Sequence, residues 1–102
     1  MVKQVIWSKR AESDFDQITE YLIDEWSESV CIIFVNKVFE TIDRVCLFPT
    51  IYPAFTNNKS VRKAMINKHV TMFYRVSQGK TTMEILTFFN NSQSPSRLGS
   101  LE

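Results

Sequence analysis

Two amphipathic runs in the first half of the chain limit what it can fold into. Ala11, Phe15, Ile18, Leu22 and Trp26 recur at three to four residues, while Glu12, Asp14, Asp16, Glu20 and Asp24 fill the outer arc. That spacing predicts a helix over roughly residues 9 to 25 with one face turned to a core. Ser8 suits its N-cap. The stretch "WSES" interrupts the pattern, and Ser27 offers a second cap with Glu28 at the positive end of a following helix dipole. This second helix, roughly 28 to 47, turns Cys31, Phe34, Val35, Val38, Ile42 and Val45 inward until Pro49 stops it. Both apolar stripes need an opposing surface, which the rest of the chain must supply.

Strand signals provide it. Val2 to Trp7 alternates and is rich in β-branched residues. "PTIYPAFTNNK" reads as the longest loop, and "SVRKAMI", "HVTMFYRV" and "TTMEILTFF" follow as three strands. Asn67-Lys68 and Gln78-Gly79-Lys80 fit the tight connections of an antiparallel meander. The expected fold is therefore α+β, in the order β-α-α-β-β-β. A mostly antiparallel four-stranded sheet carries both helices on one face and leaves the other partly open. One domain is expected over residues 1–95. Residues 96–102 are expected as an irregular tail whose final "GSLE" resembles a vector-derived remnant.

The chain's 102 residues suffice for one core and not two. Its composition, 44% hydrophobic and 23% charged with two glycines and three prolines, excludes disordered and collagen-like chains. No apolar run approaches the ~20 residues that span a bilayer, and "MVKQVIWSKR" is unlike a signal peptide, so a cytoplasmic, non-membrane protein is expected. Cys31 and Cys46 on one helix would lie ~22 Å apart, beyond disulfide reach, and read as free thiols. No second ligand pair stands at zinc spacing, so neither metal nor cofactor is expected. The net charge of +1 conceals an asymmetry. Residues 1–48 hold five Lys/Arg against nine Asp/Glu, a balance of −4, and residues 49–102 hold seven against two, a balance of +5. An anionic partner would find its seat in the second half.

Candidate chemistry concentrates in "NKHVTMFYRV", which contains the only histidine. Period two places Val70, Met72 and Val76 toward the helices and His69, Phe73 and Arg75 on the open face; Arg62 and Lys63 in the preceding strand point to opposite faces. A cluster of His69, Arg75 and either Arg62 or Lys63 could hold a phosphate, the arginines through forked hydrogen bonds and the histidine through proton transfer. Metal-free RNA cleavage needs such parts: a base for the 2′-hydroxyl, cations for the phosphorus oxygens and an acid for the leaving oxygen. The alternative reading is a surface histidine beside solvated or ion-paired cations. No glycine-rich phosphate loop, G-x-S-x-G or paired carboxylates in the basic half support other hydrolases.

The order of these segments resembles the RelE/ParE toxins of bacterial type II toxin-antitoxin systems. "WSKRAESDFDQITEYL" looks like that family's first helix, "VRKAMINKHVTMFYRV" like its Val-Arg-Lys strand and Tyr-Arg strand, and "MEILTFFNNSQSP" like its closing strand and Gln-x-Pro end. The resemblance implies a toxin that arrests growth when free. It also implies a cognate antitoxin that wraps it, with operator DNA reached only through that antitoxin. Arg62, Lys63, Phe73 and Arg75 would then meet the partner, acidic where it touches the cations. The resemblance implies one of two targets. ParE-like members poison DNA gyrase through protein contacts, whereas RelE-like members cleave messenger RNA on the ribosome, and here His69, Arg75, Arg62 and Lys63 would carry that cleavage. Beyond Phe89 no residue as far as Pro95 transfers a proton at neutral pH, which favours the gyrase reading. A degenerate, non-toxic binding module is the third reading.

Overall fold

The structure, a computed structural model, describes residues 1–56, 58–93, 95–99 and 101, and of residues 58, 59, 95 and 96 the backbone alone. The chain runs through β1 (Gln4–Trp7), α1 (Lys9–Glu25), α2 (Glu28–Leu47), β2 (Ala54–Phe55), β3 (Asn58–Met65), β4 (Val70–Val76) and β5 (Thr82–Asn90), then closes with a 3-10 turn at Pro95–Leu98. The sheet order is β1-β5-β4-β3-β2. β1 lies parallel to β5 and the other pairings are antiparallel. The class is the α+β expected, but the sheet has five strands rather than four. The additional strand is two residues long and follows Pro53, too short to print an alternation on the sequence.

The caps explain where the helices begin. Ser8 accepts a hydrogen bond from the Ala11 amide at 2.9 Å and Ser27 one from the Val30 amide at 3.1 Å. Trp26 departs from the expected inward stripe: the backbone leaves helical geometry there, and its side chain is 68% exposed.

β1 covers β5 only from Thr82 to Ile85. Past Trp7 the chain turns into α1, and side chains of α1 and its cap finish the edge of β5. The Ser8 amide donates to the Ile85 carbonyl at 3.0 Å and the Ser8 hydroxyl to the Leu86 carbonyl at 2.8 Å. The Asp14 carboxylate accepts the Phe88 amide at 3.2 Å and the Thr87 hydroxyl. Asp14, assigned by periodicity to the outer arc, is thus half-buried and stands in for a missing strand.

A bulge in β5 then sets which face each side chain meets. Phe73 pairs with Thr87 and Tyr74 with Ile85, so Leu86 is the extra residue. Without it, period two would turn Phe88 away from Met83 and Ile85. With it, all three join Phe34, Val38, Ile42 and Val45 of α2, and Ala64, Ile66, Val70, Met72 and Tyr74, in the core between helices and sheet. The inward assignment of Val70, Met72 and Val76 matches this packing. Trp7, Phe15 and Phe88 close one end, with Trp7 edge-on to Phe15 at 5.2 Å.

Leu86 itself points the other way, into a second cluster with Val61 and Phe73. Leu98 and Leu101, in the segment expected to be irregular, pack on these three and are buried, while the Arg10 guanidinium donates to the Leu98 carbonyl. The face expected to be partly open is therefore roofed at its centre. Burying a leucine this way stabilises by about 1.5–3 kcal/mol, ample reason for the closing segment to lie down.

Tyr74 is fully buried, and its hydroxyl donates to the Pro49 carbonyl at 3.2 Å. Burial pushes its pKa up to about 12, against the pull of the Arg62 cation. The folded state thus holds the phenol proton more tightly than the unfolded chain does. Stability from this group should be fully present below pH 10 and lost as the pH rises through 12. In urea titrations between pH 8 and 12, Tyr74→Phe should lack this component of the alkaline decline, and indistinguishable pH profiles would refute the assignment. Asp14→Ala should destabilise the fold by about 1–3 kcal/mol, because it strands the Phe88 amide, whereas Asp14→Asn keeps an acceptor and should lose less. Equal urea midpoints for Asp14→Ala and the unsubstituted protein would show that the edge is held otherwise.

Candidate functional site

The three cations, the histidine and the aromatic singled out in the sequence do not form one cluster. Lys63 pairs with Phe73 across β3 and β4, is exposed, and shares the second face of the sheet. Phe73 is buried in the second cluster, edge-on to Phe55 at 5.2 Å. Arg75 pairs with Glu84 in the strand register, and their side chains form an ion pair at 2.8 Å, each about one-third exposed. A pair so open to water contributes little to stability, but it offsets the arginine's charge.

Arg62 turns to the helix side, opposite Tyr74, and its guanidinium donates to the Tyr52 carbonyl at 2.8 Å. The Tyr52 hydroxyl accepts from Arg44 at 2.8 Å, a bond that raises the pKa of that exposed guanidinium, and the Tyr52 ring stands edge-on to Tyr74. These contacts pin the segment after α2 against the sheet.

His69 occupies the turn before β4 rather than the strand, and it is exposed. Its amide donates to the Asn67 side chain at 2.8 Å and its carbonyl accepts the Asn91 amide at 2.7 Å. Six residues of extended chain put it ~20 Å from Arg75. The Tyr74 phenol, which also could carry a proton, is sealed in the core. A single phosphate therefore cannot touch His69 and Arg75 together.

The structure does assemble a different group. A shallow cleft of about 280 Å³ at the end of β3 and β4 is lined by Arg62 and Arg75 together with Lys80, Ser60, Ser77 and Thr50. Lys80 escaped the sequence reading because it lies in a turn, where strand periodicity says nothing. Its signal was local: a lysine directly after Gly79, on a backbone with φ of 57°.

One further feature went unnoticed in the sequence. The helical layer exposes Ile23, Trp26, Ile32, Ile33 and Phe39, each 48–68% accessible. Ile32 and Phe39, seven residues apart, share one face of α2. Apolar exposure on this scale marks surfaces that meet partners. The thiols offer no activated nucleophile: Cys31 is buried, and burial, with Asp43 nearby, pushes Cys46 up. Among the described residues no three His, Cys, Asp or Glu side chains gather as metal ligands, and no helix is long and apolar enough to cross a membrane.

Comparison with solved structures finds the same fold in bacterial toxins. The chromosomal ParDE toxin-antitoxin system of P. aeruginosa contains a chain 17% identical, with a TM-score of 0.70 over 88% of this chain and 96% of that one. A YoeB/ParE toxin from Agrobacterium tumefaciens is 15% identical, with a TM-score of 0.64 over 86% and 98%. A chain of the RelBE2 toxin-antitoxin complex of Mycobacterium tuberculosis is 16% identical, with a TM-score of 0.57 over 89% and 100%. Comparison with curated protein sequences gives no match. The family model described as the ParE toxin of the type II toxin-antitoxin system, parDE, matches residues 5–95. With nearly its whole length accounted for, the chain belongs to the ParE toxin family of type II toxin-antitoxin systems.

Proposed function

We propose that the protein arrests bacterial growth when free, acting on DNA gyrase through protein contacts rather than by cleaving RNA, and that a cognate antitoxin neutralises it. The observation that carries the choice of target is the second face of the sheet. Its centre is Val61, Phe73 and Leu86 beneath Leu98 and Leu101, and the residues a metal-free nuclease would need stand apart, with His69 in a remote turn and Arg75 held by Glu84. An acid, a base and a cation must reach one phosphate to share its cleavage.

Support for an antitoxin comes from the exposed apolar side chains of α1 and α2, which a free toxin would present to water, and from fold relatives described as a toxin-antitoxin system and complex. A partner helix or extended segment that laid apolar side chains over Ile32 and Phe39 would remove that liability.

Inducible expression without antitoxin tests the reading. Growth should stop, purified protein should inhibit gyrase supercoiling, and a translating extract should show no new messenger cleavage. His69→Ala with Arg75→Ala should leave the arrest in place. Messenger cleavage that this double variant lowers by ~100-fold would instead establish the nuclease. Unimpeded growth with folded protein present would leave a binding module without toxicity.

A further inference from the structure

We propose that the cleft at the end of β3 and β4 is a binding site for a phosphate group, with Lys80 as its primary cation and Arg62 and Arg75 as its walls. The site leaves out His69 and does not depend on the gyrase reading.

Three cations arrive there from different elements: Arg62 from β3, Arg75 from β4 and Lys80 from the β4–β5 turn. Two of them already hold a hydrogen bond within the fold, Arg62 to the Tyr52 carbonyl and Arg75 to Glu84, which limits where each side chain can swing before any ligand enters. Both retain donors beyond the one each uses in those bonds. Among the described residues three cations line the cleft, and with the Glu84 carboxylate that pairs with Arg75 counted against them, two positive charges remain, matching a phosphate dianion. Ser60, Ser77 and Thr50 bring hydroxyls to the same cleft, suited to the remaining phosphate oxygens.

Lys80 carries the argument furthest. Its left-handed backbone, φ of 57°, is uncommon outside glycine, and the turn is closed around it by the Lys80 amide donating to the Ser77 carbonyl at 2.8 Å. Glycine at this position would relax the turn; a lysine there sets an ammonium group beside two arginines at the cost of backbone strain. Among the described residues Val76 is the only apolar one lining the cleft and none is aromatic, so these offer a base nothing to stack on. The recognised chemistry is the phosphate itself, free or as the terminal group of a nucleotide.

Amide chemical shifts of the labelled protein, titrated with sodium phosphate against sodium chloride at equal ionic strength, provide the test. Ser77, Gly79 and Lys80 should shift saturably with phosphate, with a Kd of about 1 mM or tighter, and not with chloride. Lys80→Gly, which suits the turn and preserves the fold, should weaken phosphate binding at least ~fivefold, while removal of the exposed Lys68 should leave it unchanged. Equal shifts in the two salts, or equal weakening by Lys80→Gly and Lys68→Ala, would overturn the proposal. Adenosine monophosphate separates the sources. Affinity equal to that of phosphate assigns the free anion, tighter binding with shifts beyond the cleft assigns a nucleotide, and either upholds the site.

Discussion

The parallel pairing of β1 with β5 is the constraint on which the rest of the molecule depends. It joins the first strand to the last, across the whole helical layer, and among the described residues is the only strand pairing that links the chain's two halves. β1 has just four residues, so the ladder alone leaves half of β5 with unpaired backbone. Ser8 and Asp14 extend the joint by giving carbonyl and amide groups of β5 side-chain partners. Ser8 also caps α1 and places Asp14 two turns on, so one serine aligns the helix with the strand that the helix must cover. A separation of 78 residues between Ser8 and Leu86 makes this a late and entropically costly closure.

The bulge at Leu86 follows from the same geometry and decides what the second face can do. Below it, β5 is flanked by β1; above it, by α1. The one-residue insertion keeps Met83, Ile85 and Phe88 on the core side through that change of neighbour, and its by-product is a leucine on the opposite face beside Phe73 and Val61. Those three side chains make an apolar centre on the face where the sequence pointed to His69 and Arg75. Charge is displaced to the margins, to Lys63 on β3 and to the cleft at the strand ends.

Much of this architecture was legible in the sequence because period 3.6, period 2 and capping serines are strong local signals. Both helices run as read, Ser8 and Ser27 cap them, and the three-stranded meander falls where its turn residues put it. The failures share a cause. Asp14 and the closing Leu98 and Leu101 meet partners far along the chain, which leave no periodic trace, and β2, though its partner β3 is adjacent, is too short to show any alternation. The placement of the candidate site residues shows the same limit of periodic signals. Period two correctly separates the faces of β4, but proximity at the end of two strands brings Arg62 and Arg75 to one cleft although they leave the sheet on opposite sides. Alternation also carries no information on distance along a strand, so His69 and Arg75 looked like neighbours in function while standing at opposite ends of β4.

The separation of apolar and charged surfaces has a consequence for the proposed antitoxin. The outer arc of α1 presents Glu12, Asp16, Glu20 and Asp24 beside the exposed Ile23 and Trp26, whereas the far end of the sheet presents Arg62, Arg75 and Lys80. A partner confined to the helices would meet apolar side chains rimmed by carboxylates, and would need basic residues at its edges to avoid like-charge repulsion. A partner confined to the sheet end would need acidic ones. One segment that covers both must change sign along its length, and that reversal would fix its direction on the toxin, because the inverted placement sets acid on acid and base on base. Electrostatics alone would thus orient an antitoxin whose apolar contacts, being non-directional, could not.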